Sequence, residues 1–387
     1  MGLKKGQKTA FDIVYLGYVG SAGGDTLQMF QLAAGMAARG LRVRVIVPAV
    51  ENTRSVAERF AGENLTVERT SLIRFGLLQN PLNVLRLVSD ASRAAPVLHV
   101  HTGDIAVPRV TLLAMDVLRL PRAFATIHHP YPEDMAIGGP RARFWAGAAN
   151  RRFHAVISPS RHGRDAQIAY GVAPARARVI PNSVCVEKFA SGDGARARAD
   201  VGLDPDAPLV VFTSRLHQQK RPLDALAAFA KIAPDFPDAH LVFAGSGPLE
   251  NELKAAAAAS GLGARVRFAG FVANVADYLA ASDVWVLPTE AENFSLAVLE
   301  ALAAGCAIAS TLCRGNDEVL VEGQNALTAP VGNVDALAGV LRRLLSDAGL
   351  RARLGISARA TAQNYTIERM VDAHRDCYRS AATNGIA

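Results

Sequence analysis

The chain has 387 residues, 50% hydrophobic and 20% charged, which excludes a disordered or low-complexity protein and leaves room for two domains with a core each. Its 42 Lys+Arg against 35 Asp+Glu give a formal charge of +7. The excess sits in the first half: residues 1–190 carry 24 basic and 13 acidic side chains (net +11), the remainder 18 and 22 (net −4). Nucleic acid, a membrane surface or an anionic small molecule would each suit a basic half. No apolar run reaches the ~18 residues of a membrane-crossing helix. The opening MGLKKGQKTAFDIVYLGYVG lacks the form of a secretory signal. Four scattered cysteines (Cys185, Cys306, Cys313, Cys377) contain no CxxC pair, so neither a disulfide framework nor a zinc ribbon is expected, and a reducing cytoplasm is the natural compartment.

Short apolar, β-branched runs alternate with Ala/Leu-rich stretches. FDIVYLGYV is followed by the helical TLQMFQLAAGMAARG, then RVRVIVP, VLHVH, AFATIHH, AVISPS and ARVIPNS. The alternation predicts parallel sheets with right-handed crossovers. It pauses at SGDGARARADVGLDPDAP and restarts with LVVFTSRL, LDALAAFAKIA, AHLVFAGSG, PLENELKAAAAA, VRFAGF, VADYLAAS, VWVLP, SLAVLEALAAG and AIASTL. Two doubly wound α/β domains are therefore predicted, joined near residues 186–207. Residues 335–380 read as further helix, split near Asn364.

In open parallel sheets, ligands bind beyond the carboxyl ends of the strands, so residues just after strands carry the chemistry. After VWVLP come Glu292 in a loop and Glu300 on the next helix, whose start offers free N–H groups and a positive dipole end. After VVFTS, Arg215 and Lys220 flank LHQQ, two cations suited to a diphosphate whose leaving-group charge must be neutralised. Gly23 and Gly24 follow the first strand, where no side chain blocks approach to the backbone. Their spacing is not the dinucleotide G-x-G-x-x-G, which weakens a nicotinamide oxidoreductase. Gly245-Ser246-Gly247-Pro248 reads as a structural turn opening a helix with Pro at its first position. Asp204-Pro205-Asp206 reads as a turn, not a metal site.

The stretch from Val284 to Pro330 resembles the nucleotide-sugar signature of the family 4 glycosyltransferases, with Glu292 and Glu300 as the E-x7-E pair and Gly315 to Glu318 as the following G-x-x-E. GGDTLQMFQLAAGMAARGLRV, ATIHH, AVISPSRHGRD, VIPNSV and SRLHQQKRP resemble further family segments in order. The departures (Asn293 and Ser295 where Gly is common, Ser183 after Asn182, Ala326) remove no charged site residue. The resemblance implies the GT-B fold: two facing Rossmann-like α/β domains with a cleft between them. Residues 1–187 would form the acceptor-side domain and 188–365 the nucleotide-sugar domain, with a helix over 366–387 packing back on the first.

It also implies the roles. His128, ahead of His129, is the active-site histidine, with His101 a weaker candidate on the acceptor side. Arg215 and Lys220 hold the diphosphate, and Glu292 holds sugar hydroxyls. The backbone of Asn293, Phe294, Ser295 and Leu296 lines the sugar and phosphate. Glu300 takes the ribose diol, Gly270, Phe271 and Val272 meet the base, and Gly23, Gly24 and Gly245 lie near the donor. The expected reaction is retaining transfer of a sugar from a nucleotide diphosphate, UDP-linked ahead of GDP-mannose, to a hydroxyl. It needs no metal and no cofactor beyond the co-substrate. Front-face attack is implied, since no carboxylate announces itself as a nucleophile of the kind retaining glycosidases use. A nucleotide-sugar epimerase and a non-catalytic sugar-binding protein are the rivals. The basic half favours a phosphate-bearing or lipid-linked acceptor, or peripheral contact with the inner face of a membrane, over nucleic acid.

Overall fold

The computed structural model describes residues 10–18, 23–50, 53–72, 81–102, 109–118, 123–128 and 140–383. Its contacts divide the chain into two units, Met1–Asn182 with Ile367–Ala387, and Ser183–Thr366.

The first unit carries β1 (Ile13–Tyr18), β2 (Val43–Pro48), β3 (Leu65–Thr70), β4 (Val97–Thr102), β5 (Ala123–Ile127), β6 (Phe153–Ser158) and β7 (Ala177–Val179). They form one parallel sheet ordered β3-β2-β1-β4-β5-β6-β7. The second unit carries β8 (Leu209–Thr213), β9 (His240–Ala244), β10 (Val266–Gly270), β11 (Val284–Leu287), β12 (Ile308–Thr311) and β13 (Leu327–Ala329), parallel and ordered β10-β9-β8-β11-β12-β13. Central strands covered on both faces read as continuous apolar runs, and every residue of β1 and of β8 is buried. Strand order reverses between β1 and β4 and again between β8 and β11, the places where such sheets open a crevice for ligand.

Edge strands lack the apolar run that marks the central ones. β3 pairs only with β2, and within it only Leu65 and Thr70 are buried. β13 is a three-residue edge strand. The Gly/Asp-rich pause is itself packed structure. Asp193 caps the helix Gly194–Asp200 by accepting from the Arg196 N–H. A Cβ on Gly192 would sit 2.1 Å from the Ala276 carbonyl oxygen, so that glycine lets the segment approach the helix Val275–Ala281. There the Asp193 N–H and Arg196 Nε donate to the Asp277 carboxylate at 2.8 and 2.7 Å. Asp204 accepts from the Asp206 N–H at 2.9 Å, a side-chain turn as expected.

The terminal helical stretch breaks twice, at Asp347, which caps Ala348–Ala362, and at the 3-10 turn Gln363–Tyr365. The last helix, Ile367–Thr383, packs on Gly24–Ala38 of the first unit. Gly35 makes this possible, since a Cβ there would lie 2.4 Å from Val371 Cγ2.

Candidate active site

In the second unit the parallel order lines up the carboxyl ends of β10, β9, β8 and β11, and the residues that follow them form a row. Arg215 is exposed two residues beyond β8. Lys220 ends a 3-10 turn, Gln218–Lys220, and its ammonium donates to Glu292 Oε1 from the loop after β11. Both side chains are nearly buried, at 12% and 8% exposure, so neither charge is left to bulk water. The Thr289 hydroxyl lies 2.8 Å from the same carboxylate oxygen and 3.0 Å from the Gln219 carbonyl, sharing its one proton. The Gln219 carbonyl also accepts from the Glu290 N–H at 2.8 Å, and its side-chain amide donates to the Ala291 carbonyl. Gln219 therefore ties the β8 loop to the β11 loop and sets Lys220 beside Glu292.

A third loop closes over Glu292. Its N–H donates to the Arg314 carbonyl at 3.0 Å. Gly315 adopts φ 89°, and a Cβ there would fall 2.4 Å from the Glu292 carbonyl oxygen. The G-x-x-E glycine is thus a matter of close approach as well as of backbone conformation.

The helix Leu296–Ala304 starts beyond Ser295, which makes no side-chain cap, so its first N–H groups are not taken by that residue. Phe294 is buried, its ring 5.3 Å from that of Tyr365. Glu300 is half-buried on that otherwise apolar helix. Burial pushes its carboxyl up to about 7, with the charge of Lys188 pulling the other way.

The glycine positions divide by role. A Cβ at Gly245 would lie 2.0 Å from the Ser214 carbonyl oxygen, and at Gly247 2.4 Å from that of Leu216, so both serve the packing of the β9 loop on the β8 loop. Pro248 stands in a turn two residues ahead of the helix Glu250–Ala259, not at its first position. Gly270 has φ 65° with open space around it, and Phe271 beyond it is 81% exposed, with Val272 half-buried.

In the first unit, Gly23 is the extended N-cap of the helix Gly24–Ala38 and Gly24 its first residue. His128 directly follows β5 and is buried, and its N–H donates to the Thr102 carbonyl at 3.0 Å. Its Nε2 lies 3.1 Å from Nδ1 of His101. His129 lies outside the described residues. Sequence reasoning did not assign Gln219, Thr289, His99, His374 or Tyr378. Gln219 and Thr289 sit inside the motif segments, but their roles depend on which loop each one touches.

Comparison with known proteins identifies the family. The model for glycosyl transferases group 1 matches residues 194–361, and that for glycosyltransferase family 4 matches residues 22–188. The chain belongs to the family 4 glycosyltransferases. The chain is 33% identical over 236 residues to the D-inositol 3-phosphate glycosyltransferase of Acidothermus cellulolyticus, covering 56% of this chain and 52% of that relative. It is 28% identical over 202 residues to the N-acetyl-alpha-D-glucosaminyl L-malate synthase of Bacillus anthracis, covering 52% and 53%. The chain thus spans about half the length of the curated relatives it matches. The Anabaena protein HepE, solved in complex with UDP-glucose, superposes with a TM-score of 0.81 at 21% identity over 96% of this chain and 100% of that one. That likeness establishes the fold, two parallel Rossmann-like sheets of the GT-B class. Among the described residues no helix is long and apolar enough to cross a membrane.

Proposed function

We propose that this glycosyltransferase moves a sugar from a nucleotide diphosphate to a hydroxyl of an anionic acceptor, keeping the anomeric configuration. The observation that carries the proposal is the Lys220–Glu292 pair, nearly buried at the switch point of the second sheet, with Arg215 exposed on the same loop after β8 as Lys220. A buried ion pair is poor evidence of stability, because desolvation offsets most of its attraction. At the edge of a ligand crevice it reads better as two recognition groups that satisfy each other until substrate comes. A diphosphate takes Lys220 and Arg215, and sugar hydroxyls donate to the released Glu292. Glu300 receives the ribose diol, and the backbone of Asn293 to Leu296 meets sugar and phosphate. The two cations stabilise charge developing on the leaving diphosphate. The acceptor is deprotonated by that phosphate in a front-face reaction, with the attack on the same side as departure.

UDP is favoured as the carrier because the structural relative from Anabaena was solved with UDP-glucose. The acceptor is sharpened by charge. The names of the two relatives point to an inositol phosphate and to malate, both anions. The half of this chain that would hold the acceptor carries a net +11. Thermal-shift screening with UDP-, GDP-, ADP- and TDP-sugars tests the donor, since the right nucleotide stabilises by mass action. Transfer assays with phosphorylated and neutral polyols then test the acceptor. Product formed equally from both would remove the anionic requirement. A donor converted to its epimer without acceptor would replace transfer by isomerisation.

A further inference from the structure

A chain of buried polar side chains lies behind His128, built from three strands and the returning helix of the first unit. His99 and His101 stand two apart on β4, so they share a face, and their ring centroids are 4.2 Å apart. His99 is held at both nitrogens: Nδ1 is 2.6 Å from the Tyr378 hydroxyl and Nε2 is 2.8 Å from Thr126 Oγ1. Tyr378, from the helix Ile367–Thr383, also meets the Tyr15 hydroxyl at 3.3 Å. The same helix brings His374, whose ring lies 5.7 Å from that of His99. Nδ1 of His374 is 2.9 Å from the Met370 carbonyl oxygen, so it carries the proton.

Among the described residues the His101 ring makes one hydrogen bond, between Nδ1 and Nε2 of His128, and its Nε2 is buried without a partner. Two arrangements satisfy the shared bond. If His101 carries its proton on Nε2, an N–H is orphaned in the interior. If it carries the proton on Nδ1, only a bare ring nitrogen is orphaned. Orphaned buried N–H groups are the rarer outcome in proteins. Protonating both nitrogens would bury a charge beside three other imidazoles, and burial already holds His101 well below the ordinary histidine value.

We infer that His101 is a positioning residue for sugar transfer, donating from Nδ1–H to Nε2 of His128 and so keeping the proton of His128 on Nδ1. Resting on the proposed sugar transfer and on the active-site place that the family resemblance implies for His128, the inference makes that side chain a neutral hydrogen-bond donor and not a base. This agrees with a reaction in which the departing phosphate, and no side chain, takes the acceptor's proton. His99, clamped between Tyr378 and Thr126, packs against His101 and limits the movement of its ring. The terminal helix thereby contributes to the orientation of a residue that follows β5.

The test is a long-range 1H–15N correlation spectrum of histidine-labelled enzyme near neutral pH, with His128 and His101 assigned by substitution. Protonated Nδ1 and bare Nε2 on both rings are expected. A protonated Nε2 on His128 overturns the inference. His101→Phe preserves the aromatic bulk and removes the donor. It is expected to give averaged tautomer signals for His128 and a fall in kcat of about a hundredfold, the cost of a misplaced reacting group. KM for the nucleotide sugar should stay within about twofold, because Arg215, Lys220 and Glu300, proposed to hold the diphosphate and ribose, lie in the other unit. His101→Asn, which can place an amide N–H near the position of Nδ1, is expected to recover most of the loss. Should His101→Phe fail to fold, the wild-type spectrum and His101→Asn still decide. Unchanged kcat in a folded His101→Phe also overturns the inference. A wild type with the expected tautomers that transfers no sugar would instead reject the functional reading.

Discussion

The two units share one topology and treat polarity in opposite ways. At the second unit's switch point the polar groups are full charges, Lys220 against Glu292, with Arg215 exposed to water on the loop that carries Lys220. Behind the end of β4 and β5 in the first unit the polar groups are imidazoles and hydroxyls, linked by hydrogen bonds and kept neutral: burial holds His99 and His101 far below the ordinary histidine value and His374 down at about 4. Net charge follows neither pattern. The unit carrying the cation pair lies in the acidic part of the chain, and the neutral cluster lies in the basic part. Overall charge therefore describes the surface a partner approaches, whereas recognition of a diphosphate depends on a few cations placed at one strand end.

The contrast can be broken at the charged end first. Lys220→Ala and Glu292→Ala are each expected to remove measurable transfer, a loss of at least about a thousandfold. Far-UV circular dichroism should report a retained fold. Activity near wild type in both variants would reject the site. The same pair makes a finer prediction about binding without a sugar. Glu292→Ala frees Lys220, so UDP alone is expected to bind about tenfold tighter by calorimetry, a coupling of about 1.4 kcal/mol. Weaker binding would show that Glu292 orders the site and does not compete for it.

Gly315→Ala comes next. A side chain at φ 89° pressed against the Glu292 carbonyl is expected to cost about 1–3 kcal/mol of stability and to lower transfer about a hundredfold. Thermal unfolding and steady-state kinetics would check the two parts separately.

The smallest effect concerns pH. With its carboxyl pushed up to about 7 from the ordinary 4.5, Glu300 holds a proton over that interval that the unfolded chain has released. Its contribution to stability is therefore largest at the acid end and is lost as pH rises through 7. Ribose hydroxyls donate to the ionised form, so affinity for a UDP-sugar should rise about tenfold from pH 6 to pH 8. Glu300→Gln should flatten that profile. A slope that survives the substitution would place the titration elsewhere.

Much of the architecture was legible because strands buried on both faces leave an unmistakable apolar run, as in IVYLGY and LVVFT. β3 was harder to read because an edge strand need bury less, and β13 because it is only three residues long. The helix Gly194–Asp200 hid in a stretch rich in Gly and Asp, where Gly192 and Gly194 serve close packing. The residues after the strands could be singled out individually, since parallel strands send all their following loops to one edge.

What the sequence determined by itself was therefore the layered fold and the short list of side chains standing at that edge. Only the tertiary structure decided which of them meet. Lys220 reaches Glu292 across 72 positions, His99 reaches Tyr378 across 279, and Gly35 receives Val371 from the returning helix. Hydrophobic periodicity states which residues are inside. Strand order and close approach, which local pattern does not encode, state which of them are neighbours.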